Sequence, residues 1–122
     1  MKLITKALLR QIPPLYSQEN EQDPRVYCKF FMPDGSWTWY VTEGSALCKS
    51  CHLPDDKDAH RPLTEYEPDF DDILFFGYVV GPFPELGYFA LSELLAFRGA
   101  LGLPVERDLY FDPCRLSDIR KR

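Results

Sequence analysis

Histidine is scarce in this 122-residue chain, basic charge is in deficit, and no long apolar run is present. Each shortage removes a class of function. The two histidines, His52 and His60, sit in one stretch, and no Gly-x-Ser-x-Gly elbow accompanies them, so a hydrolytic triad has no histidine elsewhere in the chain to draw on. No glycine-rich loop of the kind that cradles phosphates occurs among the seven glycines. Lys and Arg number 14 against 19 Asp and Glu, for a net charge of -5. Gripping a phosphate backbone draws on clustered basic groups, so direct nucleic-acid binding is not expected. No segment approaches the roughly 20 apolar residues of a membrane-crossing helix. Lys6 and Arg10 interrupt the opening apolar stretch before Pro13, so no export signal is read and the cytoplasm is the expected compartment.

What is present suits a folded domain. The apolar fraction is 45% and the aromatic fraction 15%. Aromatic side chains bury large areas, so a chain of this length supplies one core, and residues 1–122 are read as one domain. In a reducing compartment the four cysteines are expected as free thiols or metal ligands rather than disulfides.

Periodicity places the elements. A short amphipathic helix is expected over 5–12, with Thr5 as its N-cap and Pro13-Pro14 as its stop. Strands are expected over 26–32 and 37–43, joined by the turn Pro33-Asp34-Gly35-Ser36. A second hairpin joins 73–80, apolar on both faces, to 85–90 through Gly81-Pro82-Phe83-Pro84. Ser92 is read as the cap of a helix ending at Arg98, followed by a short strand over 108–111 and a terminal helix over 116–120. Neighbouring strands joined by short turns give an antiparallel sheet of about four to five strands. Short helices lie at its ends or on one face, which is an α+β fold. The stretch 44–72 differs in kind. It holds both histidines, Cys48, Cys51 and a run of acid: Asp55, Asp56, Asp58, Glu65, Glu67, Asp69, Asp71 and Asp72. It is read as a long acidic loop or insertion, either solvated or facing a basic partner.

Three blocks carry a family resemblance. They are Lys29-Phe30-Phe31 with Trp37-Thr38-Trp39-Tyr40; Phe75-Phe76-Gly77 with Glu85-Leu86-Gly87-Tyr88-Phe89; and Arg98-Gly99 with Glu106-Arg107-Asp108-Leu109-Tyr110-Phe111. In this order they resemble the bacterial domain of unknown function family 2958. That family has no assigned activity. Its members occur in bacterial genomes, plasmids and integrative elements, so the resemblance implies an accessory gene of mobile DNA.

Four constellations are candidates for chemistry. Cys48, Cys51, His52 and His60 have the donor types and spacing to hold a zinc ion, with ordinary loop residues as the alternative. Glu106, Arg107 and Asp108, with Arg98, follow a glycine-bearing turn and either converge on a ligand or pair internally. Glu43 and Glu85 lie at strand ends and would do acid–base work only if they met in a cleft. Trp37 and Trp39, two apart on one strand, project from one face as core or as a binding platform. The pattern leans away from an enzyme. The leading expectation is a protein-interaction factor that meets a partner through the aromatic hairpin face and the acidic loop. A basic nucleic-acid-binding host protein is the partner type that charge complementarity favours, as for an inhibitor or anti-defence factor. The alternatives are a small enzyme or ligand-binding domain with a Glu/Arg pocket, and a zinc-stabilised binding module.

Overall fold

The computed structural model describes residues 2–49 and 59–121. Helix α1 spans Lys6–Gln11. Thr5 caps it as expected, its hydroxyl oxygen accepting the Leu8 N–H at 3.2 Å. The strands are β1 (Arg25–Val26), β2 (Cys28–Phe31), β3 (Thr38–Cys48), β4 (Asp71–Val80), β5 (Pro84–Ala90), β6 (Glu106–Arg107) and β7 (Cys114–Arg115). Helix α2 (Leu91–Ala96) follows β5, α3 (Leu116–Arg120) follows β7, and a 3₁₀ turn covers Leu63–Glu65. Five strands form one antiparallel sheet in the order β5-β4-β3-β2-β6, and β1 pairs with β7. This is the α+β architecture expected, with β2–β3 and β4–β5 as its two hairpins.

The sheet carries an apolar layer on each face. On one, Phe30, Trp39, Val41, Ile73 and Phe75 pack with Leu8 and Leu9 of α1 and Leu91 and Leu94 of α2. On the other, Val26, Leu116 and Ile119 close over Tyr40 and Tyr78, so α3 covers the second face. Side-chain alternation along β4 serves both layers: Ile73 and Phe75 turn to the first, Tyr78 to the second.

Several local expectations are corrected. The strand read over 26–32 is broken at Tyr27, whose N–H donates to the Val41 carbonyl at 2.8 Å. The last sheet strand is Glu106–Arg107, not 108–111. Asp108 instead accepts the Tyr110 N–H at 3.0 Å, a local turn that competes with ladder bonding. Ala90, not Ser92, is the N-cap of α2, which ends at Ala96. Glu93 Oε1 accepts the Ala90 N–H at 3.0 Å, and Asp72 of β4 accepts both the N–H and the hydroxyl of Ser92, at 3.0 and 2.6 Å.

The largest difference lies in 44–72. Gly44 to Cys48 continue β3, and Asp71 and Asp72 open β4, so these residues are sheet rather than loop. The strand extends because its second edge finds successive partners after β2 ends. Gly44 N–H donates to the Pro13 carbonyl at 2.9 Å, and Ala46 exchanges two backbone hydrogen bonds with Arg61, each 2.8 Å. Leu63 is buried in the main core. Composition marked the stretch as polar, yet its two ends meet the pairing demand of a long central strand.

Candidate functional site

One irregularity in β3 builds the site. The β3–β4 register shifts between Val41 and Glu43, leaving Thr42 as the extra residue of a bulge. Without it, Glu43 would share the main-core face with Trp39 and Val41. The bulge turns Glu43 to the other face, opposite Phe76 of β4, which in turn stands opposite Tyr88 of β5. Phe76 and Tyr88 meet edge to face with ring centroids 4.9 Å apart.

The Pro13–Gln18 segment closes this row into a cleft. Leu15 N–H donates to Ser45 Oγ at 3.0 Å, and Tyr16 N–H donates to Glu43 Oε1 at 3.1 Å. Gln18 N–H donates to Glu43 Oε2, and the Gln18 amide nitrogen donates to the Thr42 carbonyl at 2.8 Å. Tyr16 has a φ of 73°, the one positive φ outside glycine among the described residues. That left-handed geometry costs a side-chain-bearing residue roughly 1–2 kcal/mol, offset here by the bonds to Glu43. Its ring stacks on His60 with centroids 6.0 Å apart.

The cleft has a volume of about 290 Å³, and Tyr16, Glu43, Phe76, Leu86 and Tyr88 are among its walls. Glu19, Glu21 and Arg120 also line it. Arg120 extends over the Tyr78 ring, 4.9 Å from its centroid. Three carboxylates against one guanidinium leave the cleft acidic beside an aromatic floor, a combination that attracts cations. Burial pushes the Tyr88 phenol above its usual range, and neighbouring Tyr16, Glu43 and Glu19 push it the same way. Tyr88 therefore stays neutral at ordinary pH.

No serine, cysteine, histidine or lysine lines the cleft among the described residues. The Thr42 hydroxyl is engaged, donating to the Phe76 carbonyl at 2.9 Å. Both Glu43 oxygens accept backbone N–H groups, so this carboxylate holds a loop.

The charges singled out in sequence do not all meet in one pocket: Arg98 and Glu106 line one, Glu106, Arg107 and Asp108 another, and Glu43 a third. Glu85 lies on β5 and Glu106 on β6, opposite edges of a five-stranded sheet and roughly 19 Å apart across four strand spacings. Glu43 sits between them in β3, on the cleft. Arg98 donates to the carbonyls of Leu95 and Phe97, both at 2.8 Å, closing the end of α2. Arg107 Nη1 reaches Thr5 Oγ1 at 3.4 Å, and Asp108 pairs with Lys29 at 3.7 Å. These groups fasten β6 to the sheet and to α1.

The tryptophans are core. Trp39 is 3% exposed, stacked on Trp37 with centroids 6.0 Å apart, and Phe97 packs edge-on against it at 5.5 Å. The hairpin face that carries them is therefore packed as core and not open as a binding platform. Tyr16, Phe76 and Tyr88 were not singled out as site residues in sequence. The period-2 pattern of β5, with Leu86 and Tyr88 on one side, is a signal that points to Tyr88, whereas nothing in the sequence marks Tyr16.

Of the zinc candidates, Cys51 and His52 lie outside the described residues. Cys48 is disulfide-bonded, which withdraws its thiolate from metal binding. The reducing compartment read from sequence implies free thiols or metal ligands, and at Cys48 the structure has a disulfide instead. Cys28 carries a free thiol. Among the described residues no three His, Cys, Asp or Glu side chains converge as a metal set. No helix among them is long and apolar enough to cross a membrane.

Comparison with known families decides the relationship. The model of a family described as a protein of unknown function, DUF2958, matches residues 54–119, more than half of the chain. The chain belongs to the DUF2958 family. The match takes in the Phe76, Leu86 and Tyr88 side of the cleft, while Tyr16 and Glu43 precede it. No curated protein and no solved structure matches the chain.

Proposed function

We propose that this DUF2958 member is a non-enzymatic protein-interaction factor that receives a basic partner in the cleft between the Pro13–Gln18 segment and β5. One observation carries the reading. The cleft joins an aromatic floor of Tyr16, Phe76 and Tyr88 to an acidic rim of Glu19 and Glu21. The charge of -5 over the whole chain favours the same partner at long range. A basic nucleic-acid-binding host protein fits that chemistry. An accessory role in mobile DNA, of an inhibitor or anti-defence type, belongs to the same proposal and rests on the family resemblance.

The test is capture from bacterial lysate at low and high salt. The wild-type chain is compared with a variant carrying Glu19→Gln, Glu21→Gln and Tyr88→Ala. A partner enriched by the wild type, weakened by salt and lost with the variant supports the reading. A partner held equally by both chains, or none at either salt, removes it.

A further inference from the structure

We infer that β5 is a docking edge, and that the partner adds an extended, lysine- or arginine-bearing segment to it as a sixth strand. This rests on the proposed cleft function and names how the partner is held. Strand β5 is a seven-residue edge strand, and no other strand pairs with its outer side among the described residues. Its outward groups can be identified. The Ala90 N–H donates to Glu93 Oε1 rather than to β4. Backbone direction alternates along a strand, so the N–H and C=O groups of Leu86 and Tyr88 also point outward, while those of Gly87 and Phe89 face β4. Pro84, in the same outward set, has no N–H to offer. Unpaired edges invite pairing and are normally guarded by lysines, bulges or a covering element. Among the described residues the middle of β5 has none of these guards. It presents Leu86, 46% exposed, and Tyr88, 54% exposed.

The edge and the cleft are one surface. Leu86 and Tyr88 are outward-bonding residues, and their side chains line the cleft. A segment added beside β5 would place every second side chain over that same face, next to Phe76 and within reach of the Glu19 and Glu21 rim. Long aliphatic stems would cover the aromatic rings while their cationic ends meet the carboxylates. Charge also decides the occupant. A second copy of a chain carrying -5 would bring Glu85 and the acidic rim against their own kind, whereas a basic segment is attracted.

The probe is a blocked synthetic hexapeptide of alternating lysine and valine, titrated into the full chain and followed by amide NMR. The expected result is a shift of the Leu86 and Tyr88 amides, with their hydrogen exchange slowed by about tenfold or more and that of Gly87 unchanged. Two further peptides are N-methylated, one on the lysines and one on the valines. The set whose N–H groups face β5 should weaken binding by about tenfold or more, and the other set should bind like the parent. Leu86→Pro removes an outward donor and leaves the β4 ladder intact, so it should weaken binding similarly with native circular dichroism retained. If the Tyr16 and Tyr88 rings shift but neither methylation nor Leu86→Pro matters, strand addition is overturned while the cleft reading stands. If the lysine–valine peptide moves nothing at millimolar concentration, both fall. If the free chain is a dimer by light scattering and Leu86→Pro makes it monomeric, a second copy holds the edge and the proposal is overturned.

Discussion

Glu43 holds Tyr16 in a conformation that Tyr16 would not choose alone: Oε1 accepts the Tyr16 N–H at 3.1 Å, and Tyr16 sits at φ 73°. The carboxylate is 4% exposed and also accepts the Gln18 N–H, so it replaces water for two backbone donors. The cleft wall depends on it.

Removing that acceptor leaves two donors unsatisfied. Glu43→Ala should therefore lower the unfolding free energy by about 2–4 kcal/mol. Glu43→Gln keeps one acceptor oxygen and should fall between the wild type and alanine. Urea denaturation measures both. A loss below about 0.5 kcal/mol for alanine would show that the Pro13–Gln18 segment is held by something else.

Arg61 and Asp71 give the chain an acid-sensitive clasp. Arg61 pairs with the Asp71 carboxylate, which is almost fully covered and also accepts the Glu67 N–H at 2.9 Å. The Arg61 hydrogen bond is the main influence on Asp71 and outweighs burial, holding its pKa below the ordinary 3.8. Near that pH the folded chain binds fewer protons at this site than the unfolded chain. The stability contributed by Asp71 is therefore complete above pH 3.8 and is lost as pH falls through the lower folded value. Between about pH 5 and 3, the wild type should lose stability more steeply than Asp71→Asn, as read from urea midpoints. Parallel curves would contradict this.

Much of the sheet was legible because alternation and turn residues are local signals. The β4–β5 hairpin, the Thr5 cap and the double-faced strand at Ile73 all follow from residues adjacent in sequence. The cleft depends on two features that alternation cannot show. One is the Thr42 bulge, which moves Glu43 across the sheet. The other is the left-handed Tyr16, a residue type that gives no warning of positive φ. The ends of 44–72 were misplaced for a related reason. An acidic, proline-bearing composition describes solvent preference, whereas Ala46 and Arg61 are positioned by unfilled backbone bonds on β3.

Cys28 should be chemically silent in the folded chain. It is buried in the main core, and burial pushes its thiol up to about 12. At about pH 8 almost no thiolate forms there. Alkylation followed by peptide mass mapping should modify Cys28 only after denaturation. Rapid native labelling at Cys28 would mean that the core opens locally around β2.

Two glycines in adjacent strands should respond in opposite ways. Gly77 faces Val41 beside the Thr42 bulge, and a methyl group there would lie 1.8 Å from the Tyr40 carbonyl oxygen. That oxygen is backbone and cannot rotate aside, so Gly77→Ala requires β3 and β4 to separate. The expected cost is about 2 kcal/mol or more, with disturbed Tyr16 and Phe76 signals because the bulge supports the cleft. Gly87 is paired directly with Gly77, yet a methyl group at Gly87 meets nothing within 4 Å. Gly87→Ala should be neutral or stabilise by about 0.5–1 kcal/mol through lower entropy of the unfolded chain. Thermal unfolding of the two variants side by side separates a local steric demand from a general preference for glycine. Equal losses at both positions would place the constraint in the β4–β5 pairing instead of the bulge.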